Sequence, residues 1–292
     1  MKIQTECVPC LLKRIVFEAE QSTKSKELRE KTLKKACTLL AELYNPTKCS
    51  VSIATKVHKI AYETLGDKDP YKELKIQSNI TAKKLVPRVE ELIQICDEPL
   101  RMSMLCSIIG NMMDFGIEGA SSSPEKLFDI FEDSVSQDFG HDDYDKVKTI
   151  LQKSKNVILF IDNCGEIVFD KILCREIKNF NSDVFLTVVV KGEPVLSDAT
   201  MEDAQELGFE EVTDEILTTG CFAVGVDFEK MPKVVSDRLE GSDLVICKGM
   251  GNYEAFSEKN YTPLVYLLRT KCSAIANSMG LKQNINVIKL YD

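Results

Sequence analysis

The sequence predicts an α/β protein whose helical first half leads into a doubly wound domain with a mainly parallel sheet. Three observations carry this. Apolar residues recur at three- and four-residue spacing from Cys7 to about Phe115, the composition turns polar and acidic between Glu118 and Asp145, and short apolar runs alternate with helical stretches after Lys155. The division expected is a helical domain over 1–120, a connecting region over 121–150 and the α/β domain over 151–292.

In the helical half, Leu11, Ile15, Phe17 and Ala19 mark one segment, and Leu28, Leu33, Ala36 and Leu40 the next. Pro46, Gly66 with Pro70, Pro87 and Pro99 punctuate those that follow. The connecting region opens with Ser121-Ser122-Ser123-Pro124 and continues through a run of acids that reads as a solvated face. The strands expected beyond it are Val157 to Ile161, Val184 to Val190, a weaker Glu211 to Thr213, Leu244 to Cys247, Ser273 to Ala276 and Val287 to Leu290. Runs apolar on both faces, separated by helices such as Ile167 to Phe180 and Lys233 to Leu239, imply a parallel sheet covered on both sides.

At 292 residues and 44% hydrophobic content the chain fills substantial cores. Met1 to Leu12 carries Glu6, Pro9 and two cysteines where a signal peptide needs an unbroken apolar segment, so a cytoplasmic location is expected. No apolar run reaches bilayer length, so no membrane partner is expected. The net charge of −9, without a basic run interleaved with aromatics, argues against nucleic acid. The 11 cysteines are scattered through a large chain, and several, such as Cys37, Cys174 and Cys247, sit in apolar runs where cysteine acts as a small hydrophobe.

Ligands of doubly wound domains bind beyond the carboxyl ends of the strands, so polar residues following each apolar run come first. Asp162 and Asn163 follow the run ending at Ile161 and stand before a helix. Their oxygens suit magnesium or manganese, and they equally suit a helix cap. Asp198 follows the next run, and loops from neighbouring strands, about 4.8 Å apart, can aim all three residues at one cation. Lys191 in the same loop reads as a solvated strand-end lysine, and Asp203 as a helix-surface residue. Lys248, Gly249, Gly251 and Asn252 form a strand, glycine loop and helix start whose amides can cradle phosphate, with Lys248 as a point charge. Glu254 stands where a dinucleotide fingerprint needs its third glycine, which weakens a nicotinamide reading. Asn111 and Asp114 share a helical face in the first half, as a structural network or a substrate contact. Cys7-Val8-Pro9-Cys10 lacks the second ligand pair a zinc site requires, and His58 and His141 are too isolated for a triad or a histidine metal cluster.

The chain resembles the metal-dependent damage-control phosphatase family, whose metal-binding domain is called acidic-residue-methyltransferase-like. The resemblance spans nearly the whole chain. It rests on Cys7 to Cys10, Gly110-Asn111 with Asp114-Phe115-Gly116, Asp162 to Asp170, Asp198-Ala199-Thr200 with Asp203-Ala204, and Lys248 to Glu254. The CxxC is similar to the archaeal and bacterial branch. The resemblance implies a helical domain beside a Rossmann-like three-layer α/β/α domain. It also implies a divalent cation (Mn2+, Mg2+, Co2+ or Ni2+) on Asp162, Asn163 and Asp198, phosphate held by Lys248 and its glycine loop, and Asn111 with Asp114 approaching from the helical side. The activity implied is hydrolysis of phosphate monoesters of small metabolites; direct attack of water is the expected route, with a role for Asp162 as nucleophile or base left open. Cys164, where alanine is expected in many members, departs from the pattern without adding bulk. It also stands where a haloacid-dehalogenase phosphatase keeps its second aspartate, which lowers that rival. A non-catalytic metabolite-binding protein and an S-adenosylmethionine-dependent carboxyl methyltransferase are the alternatives from other classes, and Gly165 alone is a poor nucleoside-cofactor loop.

Overall fold

A computed structural model of the chain describes residues 1–110 and 124–292. Six helices come first: α1 (Cys7–Ser22), α2 (Lys26–Leu43), α3 (Ser50–Leu65), α4 (Lys72–Lys83), α5 (Val86–Ile95) and α6 (Pro99–Gly110). Then follow α7 (Pro124–Ser136), β1 (Phe139–Asp142), α8 (Tyr144–Leu151), β2 (Asn156–Phe160), α9 (Glu166–Phe180), β3 (Phe185–Val190), α10 (Met201–Glu206) and β4 (Glu215–Thr218). The chain closes with α11 (Lys233–Glu240), β5 (Leu244–Lys248), α12 (Gly249–Phe256), β6 (Leu264–Arg269), α13 (Ser273–Met279) and β7 (Asn286–Tyr291).

Local chemistry explains several boundaries. Ser25 Oγ accepts the Leu28 amide and starts α2, while Gly66, left-handed at φ 69°, ends α3 with its amide on Tyr62 O. Thr200 and Asp203 close a capping box on α10. α6 is buried nearly all round, and a Cβ at Gly110 would lie 2.6 Å from Phe169 Cδ2, so only glycine lets the end of α6 approach α9 this closely.

The strands form one sheet in the order β1-β7-β6-β5-β2-β3-β4. Every pair is parallel except β6 with β7. Residues of β2 alternate between two cores. Val157 and Leu159 face a layer of α6, α8, α9 and α10, while Ile158 and Phe160 face α11, α12 and α13. Burying such side chains fully contributes about 1.5–3 kcal/mol each, which is why a run this short forms a central strand. α1, α2 and α3 close a further core of Leu11, Ile15, Ala36, Leu40, Val57 and Tyr62 that also takes in Val195 and Phe222 from loops at the sheet's end. From β2 the chain steps outward to β3 and β4, then returns to lay β5 on the other side of β2. The crevice between the carboxyl ends of β2 and β5 is therefore the switch point at which such sheets bind ligands.

The helical first half and the three-layer arrangement agree with the sequence, and five local expectations need correction. Ser273 to Ala276 forms the first turns of α13, ended by Gly280 at φ 68°. The strand beside β5 is Leu264–Arg269, a run the pattern did not single out, because short apolar runs carry no period that tells strand from buried helix. Glu211 to Thr213 is a tight turn before β4, which occupies Glu215–Thr218. Cys37, expected to be a small buried hydrophobe, is exposed, while Cys174 and Cys247 are buried. Residues 139–150, placed in the connecting region, supply edge strand β1 and all but the last residue of helix α8.

Candidate active site

β2 ends at Phe160, and the chain turns outward through Asp162 and Asn163 before Gly165, at φ 82°, starts α9. The loop after β3 returns to meet it. Ala199 N donates to Asp162 O at 2.8 Å, Cys164 N donates to Ser197 O at 2.8 Å, and Asn163 and Asp198 form an isolated antiparallel bridge. The loops after two adjacent parallel strands thus bring Asp162, Asn163 and Asp198 side by side.

Asp162 and Asp198 are both buried, and Asn163 is half-buried. Burial, opposed by the ammonium of Lys191 and reinforced by the charge of Asp162, pushes the Asp198 carboxyl up to about 7. Two sequestered acids side by side make a site that attracts positive charge. With the Asn163 amide they form a set of hard oxygen donors fitting a magnesium- or manganese-like ion. The Asn163 side chain donates from Nδ2 to Asp162 Oδ2 at 2.6 Å and accepts Ser197 Oγ at Oδ1 at 2.7 Å. Gly249, at φ 73°, closes the site from the β5 side, where a Cβ would lie 1.9 Å from Asp162 Oδ2. The tip of β5 therefore requires glycine for a reason specific to the site.

The lysines differ from expectation. Lys248 is fully buried, with its ammonium in contact with Glu166 Oε1, 2.8 Å from Asp170 Oδ1 and 3.2 Å from Ser107 O. This replaces the expected phosphate-facing lysine, because two carboxylates of α9 and a carbonyl of α6 already take its donors. Burial opposes the charge of Lys248, yet Asp170 and Glu166 hold its pKa above the ordinary value. Burial also raises both carboxyls, Glu166 to about 8, against the opposing charge of the Lys248 ammonium. Lys191 is buried as well, not solvated. Its Nζ lies 2.5 Å from Gly225 O and 3.2 Å from Asp198 Oδ2.

Asn252, expected at the substrate, is a buried brace whose Nδ2 donates to Ile161 O at 3.2 Å and Lys248 O at 2.9 Å, joining the ends of β2 and β5. Gly251 does reach the cavity. Asn111 and Asp114 lie outside the described residues.

A cavity of about 410 Å³ opens over the trio between the sheet's end and helices α1 and α3. Asp162, Asn163 and Asp198 line its floor side, and Arg14, His58, Glu254 and Lys271 line its walls. Cys7, Cys10 and Cys272 also reach it, all as free thiols. Sequence reasoning missed Arg14, which lies in an amphipathic helix with nothing local to mark it. It also missed Asn79 of α4, which accepts Gly165 N at 2.6 Å and donates to Asp203 Oδ1 at 3.1 Å, clamping the two loops that carry the trio. α3 braces the same region, as Tyr62 Oη accepts Leu196 N at 3.1 Å and Thr55 Oγ1 accepts Val224 N at 3.0 Å.

Fold and site together define a doubly wound α/β protein with an acidic, cation-attracting centre at the switch point of its sheet. The chain belongs to the family of the damage-control phosphatase ARMT1-like domain, whose model matches residues 3–287. It is 34% identical over 292 residues to a damage-control phosphatase of Archaeoglobus fulgidus, covering 100% of both chains. A damage-control phosphatase of Pyrococcus horikoshii is 29% identical over 280 residues, 96% of this chain and 94% of that one. The crystal structure of a DUF89 family protein from Pyrococcus horikoshii superposes with a TM-score of 0.91 at 27% identity, over 100% of both chains. Among the described residues no helix is long and apolar enough to cross a membrane.

Proposed function

We propose that this chain is a divalent-metal-dependent phosphatase that hydrolyses phosphate monoesters of small metabolites, sugar phosphates or damaged phosphometabolites. The observation that carries this reading is the convergence of Asp162, Asn163 and Asp198 from two loops onto one cavity whose walls also present Arg14 and Lys271. Asp162, Asn163 and Asp198 would hold the ion, with Mn2+, Mg2+, Co2+ and Ni2+ as candidates. When bound, such an ion neutralises charge on the phosphoryl group and makes water more acidic.

The chain's own residues supply the rest. Arg14 and Lys271 give the cavity wall positive charge suited to phosphate oxygens, Arg14 with a planar fork that can bond two oxygens together. Gly251 presents no side chain to the cavity, and Gly249 leaves room for the Asp162 carboxylate. A cavity of about 410 Å³ suits a small metabolite. The names of the Archaeoglobus and Pyrococcus relatives support the phosphatase class.

The test is phosphate release from a panel of sugar phosphates, nucleotides and cofactor phosphates with each of the four metals, with a chelator and Asp162→Ala as controls. Turnover that requires metal and disappears in the variant is expected. Undiminished turnover in chelator, or in folded Asp162→Ala, would overturn the reading.

A further inference from the structure

Glu18 of α1 and His58 of α3 form a pair sealed inside the protein, 0% and 1% exposed, that the ligand set does not use. His58 Nδ1 lies 2.7 Å from Glu18 Oε1, closely apposed but off the hydrogen-bond direction. Among the described residues neither Glu18 oxygen has a hydrogen-bond donor. An acid buried with so little compensation costs stability, and helices packed as tightly as α1 and α3 would keep more stability with an apolar pair there. What distinguishes the pair is its position. His58 lines the cavity that Asp162, Asn163 and Asp198 share. With Nδ1 turned to Glu18, Nε2 is the ring nitrogen left for a ligand. The charged groups around the same space are Arg14 on α1, four residues before Glu18, Glu6 and the Met1 ammonium ahead of α1, Glu254 on α12, Lys271 before α13, and the two aspartates at the strand tips.

We propose, resting on the phosphatase reading above, that His58 is the proton donor to the leaving oxygen of the ester and that Glu18 is the residue that orients its ring. In that step water oxygen bonds to phosphorus as the bond from phosphorus to the ester oxygen breaks. Nε2 gives its proton to the departing alkoxide, which leaves as the alcohol. The proton lost by the attacking water passes to solvent, from which His58 is recharged, so the sum is ester plus water to alcohol plus phosphate.

A proton donor matters for an alkoxide and little for a leaving group that is already a stable anion, which gives a readout that folding does not mimic. The experiment compares kcat/KM for a sugar phosphate and for p-nitrophenyl phosphate, with saturating Mn2+, in wild type, His58→Gln, Glu18→Gln and the double variant. The ratio is taken within each preparation and is therefore independent of the fraction folded. General acids contribute on the order of 10² to 10⁴ in rate, so His58→Gln should lower the sugar-phosphate to nitrophenyl-phosphate ratio by about 10²-fold or more. Glu18→Gln should lower it by less, in the same direction, and the double variant should match His58→Gln. A ratio unchanged in His58→Gln and in the double variant would overturn the assignment while leaving the phosphatase reading intact. Wild type inactive on both esters with every metal tested would overturn both.

Discussion

The Ala199 amide donates to the carbonyl oxygen of Asp162 at 2.8 Å, so the two loops carrying the candidate metal ligands are stitched by backbone, without the side chains of Asp162 and Asp198. The stitch continues through Cys164 N to Ser197 O and Lys191 N to Ala199 O, at 2.8 and 2.9 Å. Side-chain changes at Asp162 or Asp198 should therefore leave the loops in place. Removing the charge of Asp162 also lifts its repulsion of the Asp198 carboxylate. Asp162→Asn is expected to keep or raise Tm while losing Mn2+ binding by calorimetry, whereas Asp198→Asn, which leaves the buried ammonium of Lys191 without its carboxylate, should lower Tm as well as lose the metal. Their metal-supported turnover should fall by about 10³-fold, since a metal's charge stabilisation is worth several kcal/mol. A variant that melts early and binds metal normally would contradict this.

Gly249 and Gly66 share a left-handed backbone, at φ 73° and 69°, but not an environment. A Cβ on Gly249 would strike the Asp162 carboxylate at 1.9 Å, whereas at Gly66 nothing lies within 4 Å. Gly66→Ala should cost about 1 kcal/mol of backbone strain and leave turnover alone. Gly249→Ala should lose turnover beyond any loss of stability, because Asp162 must move. Melting curves and rates measured on the two variants side by side decide the point.

Much of this was legible in the sequence, for physical reasons that differ by residue. β2, β3 and β5 showed themselves because parallel strands are buried on both faces and write continuous apolar runs, and the acids following two of those runs were found where the sheet geometry put them. The charge of Lys248 was visible but its direction was not. Its partners Glu166 and Asp170 lie on a helix about eighty residues earlier, and only the packing of α9 and α6 beneath β5 turns the ammonium inward. Arg14, Asn79 and the Glu18–His58 pair were hidden because each acts across elements distant in sequence, with no local pattern of its own.

Lys248 serves as a structural counter-ion for two buried acids, so its removal should be felt first in stability. Breaking one partner of a buried ion pair costs about 3–5 kcal/mol, because the charge left behind has no compensation. Lys248→Met should lower the denaturant midpoint accordingly, and adding Asp170→Asn should recover part of the loss, the two sites being coupled. If Lys248→Met proved as stable as wild type but defective in substrate binding, the phosphate-facing reading of this lysine would return.

Arg14 carries the opposite expectation. It lines the cavity, and its charge favours ionisation of Asp198 and Glu254, which places the guanidinium within electrostatic reach of the site. Hydrogen bonds to charged groups contribute about 1.5–3 kcal/mol, so Arg14→Gln should raise KM for a phosphate ester by about 10- to 100-fold. Arg14→Lys should recover only part of that, since an ammonium cannot make the bidentate contact. A KM unchanged in Arg14→Gln would remove this residue from the substrate site.

Glu254 should set a pH dependence of stability. It lies deep in the wall of the cavity, and burial pushes its carboxyl above the ordinary value, only partly opposed by the hydrogen bond from Ser50 Oγ. The folded protein therefore holds this proton more tightly than the unfolded chain does. The stability so contributed is fully present below the unfolded value of about 4.3 and is lost as pH rises through the higher native one. In Glu254→Gln the neutral form is permanent and that loss cannot occur. The Tm difference, variant minus wild type, is expected to increase with pH across this window and then level off. A difference that stays flat, or shrinks as pH rises, would show that the native carboxyl is not held protonated by its surroundings.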